Sequence, residues 1–368
     1  MINKLDVFYH DKLVGTIVKK DKCFFQYDEK WITDGFSISP FLLPLKKGLF
    51  EAKTELFDGT FGVFSDSLPD AWGRLLLSRY LHKNRPNEKI DFMYMLSCVG
   101  KNGMGALEYI PTQDNKEYKF EINYDEIQKE SELALNNEEY DVDKLYFLAG
   151  SSGGARPKAL IKIDGEEWIV KFHSRYDIPN SGLVEYEYAL ACREIGINIP
   201  DFKLIDSKIS KGFFAIKRFD RINNVKIHMI SVSALVEADF KSPCMDYNEL
   251  FKLTKLITFD NKDDIEELYL RMCFNVLAHN LDDHIKNFSF IYDEKKNRYA
   301  LSPAYDMTYS NTYYNEHTTS VNGKGKDINN DDLISVGVKA GIYKDKCIEL
   351  LNKVFYVINK RLKKYLKQ

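Results

Sequence analysis

The chain has 368 residues, 44% of them hydrophobic and 14% aromatic, which is more than one hydrophobic core usually serves and too apolar for a disordered polymer. A formal charge of −3 supplies no basic field, so no direct strong binding to nucleic acid is expected. The six cysteines lie far apart with no CxxC pair or zinc spacing, and no apolar run is long enough to span a bilayer; free thiols in the cytoplasm, with no membrane contact, are the expectation.

The first residues, MINKLDVFYHDKLVG, read as an interrupted strand rather than a leader. Short β-rich runs (KLDVFYH, LVGTIVK, CFFQYD) then alternate with turn residues to about residue 110, a small α+β module holding one amphipathic helix from Asp70 to about His82. Pro69 marks the start of that helix, with Ser67 or Asp70 near its cap, and Trp72, Leu75, Leu76 and Arg79 read as packing residues. Residues 111–143 are polar and acid-rich with little to bury, and read as a connection. From 144 to 368 strands come first and helices later. That order predicts a two-lobed α+β domain, with lobes of about 144–219 and 220–368 and a ligand cleft between them.

The segment AGSSGGARPKALIKIDGEEWIVKF opens the second half. Asp164-Gly165 predicts a type I′ hairpin turn, because that turn needs positive φ at both central positions. The turn would place Ile163 opposite Glu166, Lys162 opposite Glu167, and Lys158 opposite Lys171. Like charges facing each other repel, so two lysines beside a glycine-rich loop suit a bound anion such as phosphate. The loop is neither GxxxxGK[ST] nor GxGxxG, and taken alone it reads better as a flexible turn; the later motifs change that weighting. Next, LVEYEYALACREIGINIP places Leu183, Tyr186, Leu190 and Ala191 at helical spacing and stops at Gly196. A glutamate early in this helix suits the lysine–glutamate ion pair of protein kinases. Glu185 is the first choice and Glu187 the alternative.

The richest stretch is IEELYLRMCFNVLAHNLDDHIKNFSFIYDEKKNRYALSPAYDM. Ile265, Leu268, Tyr269, Met272, Cys273, Val276 and Leu277 predict a helix with a buried face, delivering the loop HNLDDHIKN. The spacing from Asp282 to Asn287 equals that of the kinase catalytic loop, where the Asp takes the proton of the attacking hydroxyl and the Asn binds magnesium. Asp306, a second acid after a hairpin, then occupies the place of the aspartate that chelates the metal. Phosphoryl transfer needs neutralised phosphates and an aligned nucleophile, which hard oxygen ligands around Mg²⁺ provide. His284 is expected to hydrogen-bond loop backbone, Asp283 to face solvent, and Lys286 to contact the transferred group. A transition-metal site of His279, Asp282, Asp283 and His284 would leave the glycine loop, the strand lysine and Asp306 unexplained.

Taken in order, GSSGGARPKAL, WIVKF, IKRFDR, HNLDDHIKNFSF and LSPAYDM resemble the HipA family of serine/threonine kinases, and GVFSDSLPDAWGRLLL resembles that family's N-terminal module, fused here to the kinase domain. The resemblance implies ATP and Mg²⁺ as cofactors, Asp282 as catalytic base with Lys286 and Asn287 beside it, and Asn287 and Asp306 as metal ligands. It also implies an ATP site of Ser151, Ser152, Gly153, Gly154, Ala155, Lys158, Lys171, Glu185 and His284, with Lys217, Arg218 and Phe219 as the adenine-side hinge. It further implies autophosphorylation on Ser151, or on the adjacent Ser152, which switches the enzyme off. Such proteins are toxins that phosphorylate a translation component such as an aminoacyl-tRNA synthetase. They are neutralised by a helix-turn-helix antitoxin that reaches operator DNA. Two other readings compete: a small-molecule kinase with the same Asp, Asn and Asp, and a catalytically silent scaffold or corepressor, against which the presence of Lys171, Asp282, Asn287 and Asp306 speaks.

Overall fold

The strands β1 (Lys4–Tyr9), β2 (Lys12–Lys19), β3 (Cys23–Tyr27), β4 (Leu49–Glu51) and β5 (Leu107–Ile110) form an antiparallel sheet in the order β4-β3-β2-β1-β5. Alternation decides which face is inside: Leu5, Val7 and Tyr9 of β1 are buried while the residues between them are not. The computed structural model describes residues 2–113, 120–150, 153–175, 177–178, 180–312 and 314–366. Ser151 and Ser152 therefore lie outside the described residues.

A second sheet, β6 (Lys158–Ile163), β7 (Glu166–Lys171), β8 (Phe202–Ile205) and β9 (Phe213–Lys217), has the order β6-β7-β9-β8. Asp164 and Gly165 both take positive φ, 54° and 79°, and the ladder pairs Ile163 with Glu166, Lys162 with Glu167 and Lys158 with Lys171. The local turn sets the register of the whole hairpin.

Helix Ala71–Asn84 of the N-terminal module packs on that second sheet: Trp72 and Leu76 are buried in one cluster with Ala159, Ile161, Trp168 and Val170. Residues 111–143 do more than connect. Helix Tyr124–Asn136 brings Ile127 and Ala134 into the same cluster, and helix Val142–Ala149, which begins at the end of that segment, adds Leu145 and Leu148; a Leu or Ile side chain contributes roughly 1.5–3 kcal/mol when fully buried. Their acidic residues occupy the other face, which hides the apolar stripe within an acid-rich composition.

The chain divides into two compact units, and the division does not follow the expected lobes. The first holds residues up to Gly182 with Lys203–Ile230 and Ala234–Glu237; the second holds Leu183–Phe202, Ser231–Ser233 and the chain from Ala238 onward. The break falls inside helix Ser181–Ile195, because Ser181 and Gly182 pack with the first unit. Helices Tyr247–Ile257, Lys262–Leu277, Asn330–Lys339 and Lys344–Arg361 and the hairpin Ser289–Asp293/Arg298–Leu301 build the second unit. No helix among the described residues is long and apolar enough to cross a membrane.

Candidate active site

In the second unit, helix Lys262–Leu277 buries Ile265, Leu268, Tyr269, Met272 and Cys273, while Val276 and Leu277 at its end are only half-buried. Asn280 N–H then donates to Asn275 O at 2.9 Å, turning the chain into the loop that carries Asp282. The Asp282 side chain is 54% exposed. Below it the backbone is held: Asn287 Nδ2 donates to Asp282 O at 2.9 Å, and Asn287 N–H to His284 O at 2.8 Å. Asn287 thus sits one short turn from the carboxylate that the catalytic-loop spacing singles out.

Asp283 is buried, not solvent-facing. Its carboxylate accepts from Tyr247 OH (3.0 Å), His317 Nδ1 (3.0 Å) and the N–H groups of Thr318 and Thr319 (3.0 and 3.1 Å), so the charge is met by four donors. Burial, reinforced by the Asp283 charge, pushes the Tyr247 hydroxyl well above its ordinary pKa and keeps it a neutral donor. The chain of bonds continues through Asn275 Nδ2, which donates to the Tyr247 hydroxyl oxygen (2.9 Å), and Asn280 Nδ2, which donates to Asn275 Oδ1 (2.9 Å), and ends with Asn280 Nδ2 on Asp306 O at 3.3 Å. Asp306 stands at φ 53°, a left-handed conformation that costs a non-glycine residue roughly 1–2 kcal/mol. The network therefore joins the residue beside Asp282 to the backbone that presents the Asp306 carboxylate.

His279 and Asp283 do not converge on a metal with Asp282 and His284: His279 Nε2 pairs with Asn311 Oδ1 at 2.8 Å and its ring stacks on Tyr309. His284 does not bond loop backbone through Nδ1, which is buried without a hydrogen-bond partner among the described residues; its Nε2 lies 4.0 Å from Asp282 Oδ1. Lys286 Nζ stands 4.9 Å from the centroid of the Phe240 ring, and Lys286 O accepts from Tyr305 OH at 2.8 Å. Glu187 is occupied by Lys364 Nζ (2.9 Å) and Tyr365 OH (3.0 Å), whereas Glu185 is buried.

In the first unit, Lys158 is buried with Nζ donating to Gly153 O, and Lys171, directly across the ladder, has Nζ 5.8 Å from the Phe214 ring centroid. Gly154 takes φ 89°, and Ala155 is exposed. At the expected hinge, the side chains of Lys217 and Arg218 are engaged by acids of the same unit. Lys217 is paired with Glu166. Arg218 is buried, and its guanidinium is spent on Asp220 (2.8 and 3.0 Å), Glu167 (3.0 Å) and Gly103 O, while its N–H goes to Glu167 O. Arg221 adds bonds to Asp220 and to Gly105 O, and Gly105 N–H donates to Asp220 Oδ2 at 2.7 Å. Burial works against the Asp220 charge, but the two guanidiniums hold its carboxyl below the usual range. IKRFDR is therefore the bolt that fastens the N-terminal module to the second sheet. Phe219 is half-buried beside it.

Two family models match the chain: a HipA-like C-terminal domain over residues 150–362 and a HipA N-terminal domain over residues 5–110. The chain belongs to the HipA family. A HipA structure from Shewanella oneidensis MR-1, solved with HipB and operator DNA, is similar over 98% of this chain and 90% of that one, with a TM-score of 0.74 at 16% identity, so the HipA fold extends over nearly the whole chain. A Sinorhizobium fredii protein provisionally named as a kinase, Y4dM, is 30% identical over 196 residues. That match takes in 48% of this chain and 46% of the relative's length, so the chain spans a little under half of that curated protein.

Proposed function

We propose that this HipA-family chain is an ATP- and Mg²⁺-dependent serine/threonine protein kinase, the toxin of a toxin–antitoxin pair. Asp282 carries the reading: a half-exposed carboxylate on a loop held by the Asn287 bond to its backbone and by buried Asp283, poised to accept a proton from an incoming hydroxyl. Asn287 and Asp306 are hard oxygen donors of the kind Mg²⁺ takes, and a magnesium ion bound there would neutralise the phosphates of ATP. Two such ligands suffice, since Mg²⁺ completes its shell with water and phosphate oxygens. On the other unit, Lys171 and Lys158 share one face of the hairpin beside Gly153 and Gly154, which suits a polyphosphate. Glu185 is the residue we assign, from its place early in the following helix, to the lysine–glutamate pair of kinases.

The substrate we propose is a protein of the translation machinery, and the acceptor within the chain is Ser151 or Ser152. A HipB-like antitoxin, bringing operator DNA with it, is the proposed partner, by analogy with the assembly of the Shewanella protein. The test is intact mass and site mapping after incubation with Mg-ATP. Wild type should gain a phosphoryl group on Ser151 or Ser152, and Asp282→Ala and Asp306→Ala should slow this roughly 10²–10⁴-fold. No transfer together with no ATP binding by calorimetry would replace the kinase with the silent scaffold.

A further inference from the structure

Asp70 is the N-cap of helix Ala71–Asn84, with extended φ and ψ of −83° and −162°. Aspartate is favoured there because its carboxylate accepts an N–H from the first turn of its own helix. Here it makes no such bond. Instead Oδ2 accepts the N–H of Gly154, 84 residues away, at 2.6 Å. A Cβ on Gly153 would stand 3.2 Å from the same oxygen, so the segment runs close against the carboxylate.

Trp72, two residues on, holds the same segment twice. Its N–H reaches Gly154 O at 3.4 Å, and its indole Nε1 donates to Lys158 O at 3.3 Å. The base of the clasp is rigid: Trp72 is buried, and Arg74 ties Pro69 O (3.0 Å) to Asp58 (2.6 Å). The start of a helix in the N-terminal module therefore grips both ends of residues 154–158, the stretch that carries Lys158 toward Gly153 O.

We propose that Asp70 is a positioning residue for the nucleotide, fixing the glycine-rich segment from behind through the Gly154 N–H. This rests on the kinase reading given above. The clasp makes the N-terminal module part of the nucleotide site without any of its atoms touching the ligand. A carboxylate–amide bond of this kind is charge-assisted, and losing it leaves a loop with left-handed Gly154 to order itself on each binding event.

The measurement is Mg-ATP binding by calorimetry on the full chain, paired with hydrogen exchange of the peptide containing Gly154. Asp70→Ala should weaken Mg-ATP about 10-fold or more and speed exchange at Gly154. Asp70→Asn, which keeps an acceptor oxygen, should restore affinity to within about 3-fold. The thermal midpoint of Asp70→Ala should stay near that of wild type, because the helix loses no cap bond of its own. Unchanged or tighter binding by Asp70→Ala overturns the proposal, as does an Asp70→Asn no better than Asp70→Ala. Should wild type itself bind no Mg-ATP, the kinase reading fails first. Faster exchange in Asp70→Ala would then leave a clasp without a nucleotide role, and unchanged exchange would remove the clasp as well.

Discussion

The loop 279–287 and the segment 153–158 serve the same proposed reaction but are held in opposite ways. The first is anchored by side chains: buried Asp283, Tyr247, Asn275, Asn280 and His317 form one continuous network beneath it. The second is anchored through its backbone, by Asp70 and Trp72, and has Ala155 exposed and Gly154 at positive φ. A buried polar network has few alternative arrangements, because each broken bond leaves a desolvated group unpaired. A backbone clasp on glycines can open at modest cost. The loop 279–287 is fixed, and the segment 153–158 is adjustable.

The largest test of that contrast is Asp283→Ala, which strands His317, Tyr247 and two N–H groups together. It should cost roughly 3–5 kcal/mol in denaturant unfolding. A cost below about 1 kcal/mol, within the range of ordinary surface substitutions, would mean the network does not pin the loop.

The first unit has firm points too, but away from its glycines. His228 is buried with Nε2 donating to Ile38 O at 3.0 Å, and burial lowers its pKa from 6.5 to about 4. Above pH 6.5 both folded and unfolded forms are neutral and the group does not affect stability. As pH falls from 6.5 to 4 the unfolded chain takes up a proton that the folded chain refuses, so stability declines by roughly 3 kcal/mol and then levels off. His228→Gln keeps a donor without the titration. Unfolding free energies measured from pH 7 to pH 4 should slope less by that amount, and identical slopes would sink the assignment.

The smallest expected effect is at Gly154→Ala. With φ at 89° and the new Cβ 2.6 Å from Lys158 Nζ, stability should drop by only about 1 kcal/mol, since the lysine tip can move. Mg-ATP affinity measured by calorimetry should fall further than that, and equal losses in both would erase the distinction between the two regions.

Much of this was legible in the residues, for reasons of range. Asp164-Gly165 dictates its own turn, so the pairing of Lys158 with Lys171 could be counted off the chain. Asp282 and Asn287 share one loop, and their spacing is a local property. What escaped depends on distant partners. Asp283 looks like a solvated loop acid until His317 and Thr319, more than thirty residues on, close over it. Arg218 in IKRFDR looks available until Gly103 and Asp220 claim it. Asp70 has every local feature of an N-cap, and only the fold diverts it to Gly154. The helices around Ile127 and Leu145 were masked by composition, since an acid-rich average conceals a one-sided apolar stripe.

The two-residue turn at Asp164-Gly165 also constrains which length changes the chain can accept. Strand side chains alternate faces with a period of two, so one residue inserted between Gly165 and Lys171 would carry that lysine to the opposite side of the sheet. Two inserted residues would return it to the correct side but slide it past Lys158. The hairpin acts as a parity check on length: deletions and insertions that loops elsewhere absorb would here separate the two ammonium groups, while substitutions at the outward positions leave them in place.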